Sequence, residues 1–221
     1  APSRGLGYVY KRQSETRTLK AGECVLIDMG CVWKGYCSDM TRTFYCKSVD
    51  DEQAAIHDLV RTAVEKAEAV IKPGVRFCDI DAQARDLIDE AGYSEYWRIR
   101  LGHFIGQEDH EYGDVSPINK NVAEPGMIFS IEPGIYIEGS HGVRLENELL
   151  VCEGEKNEYG EFLYFEPITY VPFDLDAINP DIMNAEDKER LNTYHATVYE
   201  KVSPYLNDEE KEWLKKYTRA I

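Results

Sequence analysis

The chain has 221 residues, of which 43% are hydrophobic, enough for a folded core and too many for a disordered segment. Its 41 acids against 25 Lys and Arg leave a formal charge of −16, which argues against nucleic acid or an anionic membrane as partner, because both call for a basic footprint. No apolar run approaches the ~18 residues of a spanning helix, and the first residues show no signal-peptide pattern.

Residues 1–13 make a poor start to a domain. Ala1 to Gly7 is turn-rich, and Val9-Tyr10-Lys11-Arg12-Gln13 resembles translated sequencing-adapter sequence, so this leader is expected to be non-native or disordered. From Thr16 the sense is clear: Arg17 to Glu23 forms a turn that feeds a buried-strand run, Val25-Leu26-Ile27. Lys34-Gly35 reads as a turn and Tyr36 to Phe44 as returning extended chain. A two-residue turn at Trp33-Lys34 or Lys34-Gly35 pairs residues whose numbers add to 67 or 69. Either register turns Asp28 and Asp39 to the same face. Facing carboxylates repel unless something positive lies between them, and a divalent cation is the simplest such group. Two solvated acids on a wet hairpin face would read the same way.

Asp50 or Asp51 caps a helix to about Ile71, with apolar residues from Ala55 to Val70 at helical spacing and Lys72-Pro73-Gly74 ending it. His57 beside that stripe reads as a surface or core-edge histidine. Asp79 caps a second helix, with Ile80, Ala84, Leu87, Ile88 and Ala91 on one face and Gly92 as its stop; the two make an antiparallel pair. Leu101 to Glu111 is strand or loop. Met127 to Ile131 is an apolar strand ending in Glu132-Pro133-Gly134, continued by Ile135 to Ile137. After the Glu138–Gly142 turn, Val143 to Val151 returns. The numbers of Glu132 and Glu146 centre on Gly139, so an odd-length loop there again places two carboxylates on one face. Lys156 to Gly160 reads as a polar loop and Phe162 to Phe173 as a strand. From about residue 174 the chain turns helical. Asn184 caps a helix through about Leu206, disturbed by Pro204, and Asn207 opens a last helix with Trp213, Leu214 and Tyr217 on its inner face. His195 reads as structural or exposed. The six cysteines form no Cys-x-x-Cys pair and read as free thiols, which fits a reducing cytoplasm.

His103, held between Gly102 and Gly106 in apolar surroundings, adds a nitrogen donor, and His110-Glu111 follows. Imidazole with four carboxylates suits Mn²⁺, Co²⁺, Fe²⁺ or Zn²⁺ rather than Ca²⁺. Four acids would overneutralise one cation but balance two with a bridging hydroxide.

These segments resemble the pita-bread metallopeptidases, the group that holds methionine aminopeptidase, Xaa-Pro dipeptidase and Xaa-Pro aminopeptidase. The matching stretches are Leu26–Gly30, Ser38–Phe44, Gly102–Gly106, His110-Glu111, Gly126–Tyr136 and Gly142–Asn147. The resemblance implies an α+β pita-bread fold, a curved antiparallel sheet covered by helices, here N-terminally truncated and carrying a C-terminal helical extension. Residues 14–173 would then be a partial catalytic domain and 174–221 the extension. By the same resemblance Asp28, Asp39, His103, Glu132 and Glu146 hold two divalent metals, Mn²⁺ foremost, with Asp39 and Glu146 bridging. Glu132 would move the proton of the attacking water, His110 would bond substrate, and Tyr136 and Arg144 would orient the acids or simply pack. Phe165–Phe173, Leu191–His195 and Glu212–Leu214 look like the tail of long-form Xaa-Pro aminopeptidase.

The implied activity is cleavage of an N-terminal residue from peptides with proline at the second position by a hydroxide held between the metals. Prolidase is the nearest alternative, and an inactive pita-bread binding module or truncated fragment the other. The expected partners are such peptides and, in the full-length protein, a second copy as a homodimer, with no nucleic acid and no membrane. The family has a half-domain before the first metal Asp and a substrate histidine upstream of the Arg17–Lys20 turn, neither of which stands here. The expectation for this chain is therefore weak or no peptidase activity.

Overall fold

The computed structural model describes residues 18–70, 72 and 74–221; the expected leader, residues 1–13, and the helix-ending Pro73 lie outside them. The first hairpin forms as its turn chemistry dictates. β1 (Cys24–Met29) pairs antiparallel with β4 (Met40–Tyr45), and at the tip β2 (Val32–Trp33) pairs with β3 (Tyr36–Cys37). Asp28 faces Thr41 and Val32 faces Cys37, the register of a turn at Lys34-Gly35. Lys34 and Gly35 have φ of 51° and 88°, the positive values of a type I′ turn. Between the two ladders the strands crowd. A Cβ on Gly30 would stand 1.7 Å from the Ser38 carbonyl oxygen, so glycine is required there.

Asp50 caps α1 (Asp51–Ala69) in a reciprocal box with Gln53. Ile56, Val60, Ala63, Val64 and Ala67 form its buried stripe. His57 is not at the core edge. It is fully buried, edge-on to Tyr45 with ring centroids 5.9 Å apart. The second helix, α2 (Phe77–Glu90), starts before Asp79: Arg76 is the cap residue, and the Asp79 carboxylate accepts from its backbone N–H and guanidinium. An acid in the first turn suits the helix dipole as well as an acid at the cap, which is why the sequence misplaced the start. Gly92, at φ 85°, ends the helix.

β5 (Gly102–His103) pairs with β6 (Asp114–Val115). The second hairpin then runs through β7 (Ile128–Ile131), β8 (Gly134–Tyr136), β9 (Gly142–Arg144) and β10 (Asn147–Asn157). Gly134 faces Arg144 and Ile131 faces Asn147, one register across the interruption at Glu132-Pro133 and Leu145-Glu146. The tip centres on Gly139, as expected, with Ile137 N–H donating to His141 O at 2.9 Å. Residues 156–160, expected as a loop, are instead the end of β10 and a tight turn into β11 (Gly160–Pro167). β11 stops at Pro167 rather than Phe173, since neither Pro167 nor Pro172 can donate to a ladder.

The helices pack over these strands. Phe77 and Ile80 of α2 and the α1 stripe meet Phe129, Ile131, Ile135, Val143, Leu145 and Leu149 in one core. Phe129 touches Phe77, Phe104 and Phe165 at centroid distances of 5.2, 6.2 and 5.4 Å. Phe173, Leu175, Ile178, Met183 and Leu191 join the same core. Asn184 caps α3 (Ala185–Val202), which gives way at Pro204 to a 3₁₀ turn and then to α4 (Asp208–Tyr217). On α4 Leu214 is buried, but Trp213, expected inside, is 58% exposed. His195 is buried, its Nε2 accepting from Phe173 N–H at 3.1 Å, a structural role. All six cysteines are free. Among the described residues no helix is long and apolar enough to cross a membrane.

Candidate metal centre

The two hairpins meet edge to edge, and the acids lie at that seam. Glu146 N–H donates to Thr41 O at 3.0 Å, and Thr43 exchanges hydrogen bonds with the Arg144 backbone through its hydroxyl. This brings Asp39, just before β4, alongside Glu146, just before β10. β5 crosses at the same level. A Cβ on Gly102 would stand 1.8 Å from Ser130 O, so only glycine lets β5 run this close to β7. His103 N–H donates to Ser130 Oγ at 3.1 Å, which fixes the imidazole over the seam.

One donor atom from each of Asp39, His103 and Glu146 lies within 4.8 Å of the others, and all three residues are buried. His103 Nδ1 is 3.1 Å from Phe104 O, so Nδ1 carries the proton and Nε2 presents its lone pair to the acids. Nε2 stands 3.7 Å from Asp39 Oδ2 and 3.6 Å from Glu132 Oε1. Those spacings are too long for hydrogen bonds but fit donors that share a cation, each about 2.1 Å from it. Glu146 Oε2 accepts from Thr41 Oγ1 at 2.6 Å, while its Oε1 is buried with no donor. An orphaned buried carboxylate oxygen costs free energy that a cation would recover.

The electrostatics agree. Burial, then the charges of Glu132 and Asp39, push the Glu146 carboxyl well above the usual carboxylate range. Burial also raises Glu132, with His103 and Arg144 opposing. Burial alone would lower His103, but Asp39 and Glu132 outweigh it and raise the imidazole. The acids therefore lack enough positive charge of their own, and the residues present fit divalent metal.

Not every expected residue lies in this trio. Asp28 is ion-paired with Arg144 Nη2, and Arg144 Nη1 donates to the Tyr136 hydroxyl at 2.7 Å. Arg144 Nε donates to Thr41 Oγ1 at 3.1 Å and lies 3.8 Å from Glu132 Oε2. Glu132 itself borders His103, with its side chain largely buried. His110, on a more exposed loop, stacks on the His103 ring at 4.0 Å between centroids. Sequence reasoning assigned no part to Thr41, Arg42 or Glu148. Glu148 is buried and accepts the Asp39 backbone N–H; burial pushes its carboxyl up to about 7. Its signal was available: an acid two residues after Glu146 shares its strand face.

A mixed α and β fold with a buried histidine–carboxylate centre at a strand seam is the build of a metallohydrolase. The chain belongs to metallopeptidase family M24: the family's model matches residues 7–153, and the model for the C-terminal region of M24 peptidases matches residues 161–221. The mixed fold is accordingly the pita-bread fold. An uncharacterized peptidase of Staphylococcus saprophyticus is 50% identical over 137 residues, which cover 62% of this chain and 39% of that protein. The chain thus spans about two fifths of the length of the curated relatives it matches. Among solved structures, the Xaa-Pro dipeptidase from Bacillus anthracis superposes with a TM-score of 0.64 at 38% identity, over 72% of this chain and 42% of that one. The X-prolyl aminopeptidase from Caenorhabditis elegans, titled a cytosolic enzyme with a di-nuclear active site, gives a TM-score of 0.85 at 25% identity. That match covers 96% of this chain and 36% of that one.

Proposed function

We propose that the protein is a metal-dependent Xaa-Pro aminopeptidase whose metals, Mn²⁺ foremost, are held by Asp28, Asp39, His103, Glu132 and Glu146. The observation that carries the metal centre is the buried Asp39–His103–Glu146 trio with its orphaned Glu146 oxygen. Two cations bound there would supply Lewis acidity and an activated water. The remaining chemistry falls to the side chains. Glu132, a raised carboxyl beside His103, takes the proton of the attacking water and passes it to the leaving nitrogen. His110, stacked on His103 and partly exposed, donates to the substrate carbonyl. Arg144, braced by Tyr136, keeps Asp28 turned toward the seam.

The C-terminal region and the near-complete overlap with the nematode X-prolyl aminopeptidase support an aminopeptidase. Dipeptidase is the second reading, favoured by the higher identity to the Bacillus anthracis enzyme. The substrates we propose are peptides with proline second. We further propose a homodimer for the whole protein and a cytoplasmic location, the latter in keeping with six free thiols. The deciding experiment measures bound metal and cleavage of an Arg-Pro-x tripeptide against an Xaa-Pro dipeptide, on this chain and on one extended to its relatives' length. The expected result is Mn²⁺-dependent turnover of the tripeptide by the extended chain, with little from the shorter one. Cleavage of the dipeptide alone makes it a prolidase, and absence of bound metal in both chains overturns the metal-centre reading.

A further inference from the structure

Arg42 is fully buried, yet among the described residues no carboxylate is ion-paired with it. A guanidinium cannot shed its charge, so a buried one must have every donor satisfied. Nε donates to Pro172 O at 3.3 Å. Nη1 donates to Thr41 O at 2.9 Å and to Glu146 O at 2.5 Å. Nη2 reaches Asn147 Oδ1, Val171 O and the Tyr194 hydroxyl at 2.8, 2.7 and 2.8 Å. The guanidinium also lies over the Phe173 ring, 4.3 Å from its centroid.

These partners divide into two groups. Thr41, Glu146 and Asn147 belong to the seam that carries the candidate ligands. Val171, Pro172, Phe173 and Tyr194 belong to the C-terminal region. Tyr194, on α3, is the member that ties the rest: its oxygen lies 2.9 Å from both Thr169 O and Val171 O, so it can accept from Arg42 while donating to a carbonyl. Asn147 is held from the far side as well, its Nδ2 donating to Glu68 Oε1 at 3.0 Å. The peptide that carries Glu146 is therefore gripped at its N–H by Thr41, at its C=O by Arg42, and at the next side chain by Arg42 and Glu68.

We propose that Tyr194, acting through Arg42, is a positioning residue for Glu146, so that the C-terminal region sets the geometry of the candidate metal centre. The inference rests on the metal-centre reading for its function but not for its geometry. Removing the hydroxyl still leaves Nη2 with Asn147 Oδ1 and Val171 O, but it cuts the guanidinium's direct tie to α3 and frees it to follow its other partners. Glu146 then loses the fixed carbonyl contact that aims its carboxylate at Asp39 and His103.

The test is Tyr194→Phe in this chain, with Val198→Ala, a buried α3 residue that makes none of these contacts, as the control for mere loosening of the helix. Three quantities are read: the Kd for Mn²⁺ by calorimetry, the visible spectrum of bound Co²⁺, and hydrogen exchange at the Glu146 amide. Tyr194→Phe is expected to weaken Mn²⁺ binding about tenfold, as loss of a ligand's supporting hydrogen bond does, and to shift the Co²⁺ bands. It should speed exchange at Glu146 without speeding it in α2. Val198→Ala should lower stability while leaving Kd and spectrum unchanged. Unchanged Glu146 exchange in Tyr194→Phe, or equal loss of affinity in both variants, overturns the proposal. If the unaltered chain takes up no Mn²⁺, the metal-centre reading fails by itself. Glu146 exchange still decides the positioning role, faster exchange in Tyr194→Phe upholding it.

Discussion

The two hairpins carry the same device, a pair of acids on one face, but are held in register by different forces. In the first, much of one face and the tip lie open: Ile27 and Met29 of β1, Val32 and Trp33 of β2 and Tyr36 of β3 are all at least 39% exposed. Its register is set by the Lys34-Gly35 turn and by the Gly30 contact. In the second, Phe129, Ile131, Ile135, Val143 and Leu149 are fully buried, and a one-residue slip would turn that whole set outward. Turn chemistry fixes one pair and the hydrophobic effect the other, so the same carboxylate pattern meets different environments. Asp28 finds an arginine, whereas Glu146 is left with an oxygen that nothing satisfies.

The largest break in that comparison comes from the core. Phe129→Ala removes the ring on which Phe77, Phe104 and Phe165 converge and should cost about 3–5 kcal/mol. Trp33→Ala on the open hairpin should stay within about 0.5 kcal/mol. Urea unfolding of both variants checks this, and comparable losses would mean the first hairpin is buried against something in solution. Next in size is metal. Glu146→Gln should weaken Mn²⁺ binding by more than about 100-fold, the upper end of what an outer partner costs, because here the ligand itself changes. Asp28→Asn, whose partner is already Arg144, should cost less. Calorimetry that ranks Asp28 above Glu146 would move the centre of the site to the first hairpin.

That asymmetry also marks what the sequence could say. Strand pairing is arithmetic on residue numbers once a turn is placed, and Gly139 set the second register. The first was narrowed to two that share one face for Asp28 and Asp39, of which the Lys34-Gly35 turn is the one that forms. His103 stood out between Gly102 and Gly106 in apolar surroundings; that Gly102 serves the close passage of β5 by β7 appears only in the structure. What a face meets in three dimensions has no such local code. The burial of Arg42 depends on carbonyls some 130 residues away at Val171 and Pro172, and nothing near Thr41 announces them. The full burial of His57 depends likewise on how α1 settles on β4, with Tyr45 across from its ring.

His57 offers the third test, on the covered side of the first hairpin. Burial, then Arg61 and Arg42, hold its pKa down to about 3, and burial holds His195 down to about 4. Both stay neutral in the fold while the unfolded chain takes up protons near pH 6.5. Stability from each is complete above that value and is lost as pH falls toward the folded pKa, by about 2 kcal/mol each at pH 5. Raised carboxyls such as Glu68, pushed up to about 7, act in the opposite sense, so the clean comparison is with His57→Gln. Unfolding free energies at pH 7 and pH 5 should differ less in that variant than in the original chain; an equal difference would mean His57 is not buried neutral.

The smallest effect sharpens the contrast most. Lys34 holds φ at 51°, a left-handed conformation that costs a residue with an ordinary side chain about 1 kcal/mol and that asparagine adopts more readily. Lys34→Asn creates the Asn-Gly pair that a type I′ turn prefers and should stabilise the protein by about 0.5 kcal/mol. Gly35→Ala, at φ 88°, should destabilise it by about 1 kcal/mol or more. If the turn alone sets this register, the two changes should slow and speed amide exchange along β2 and β3 in step with those energies, while β7 and β10 stay as they were. Equal changes in both hairpins would show that the first is held by the body of the fold after all, and that its exposed face is not independent of the buried one.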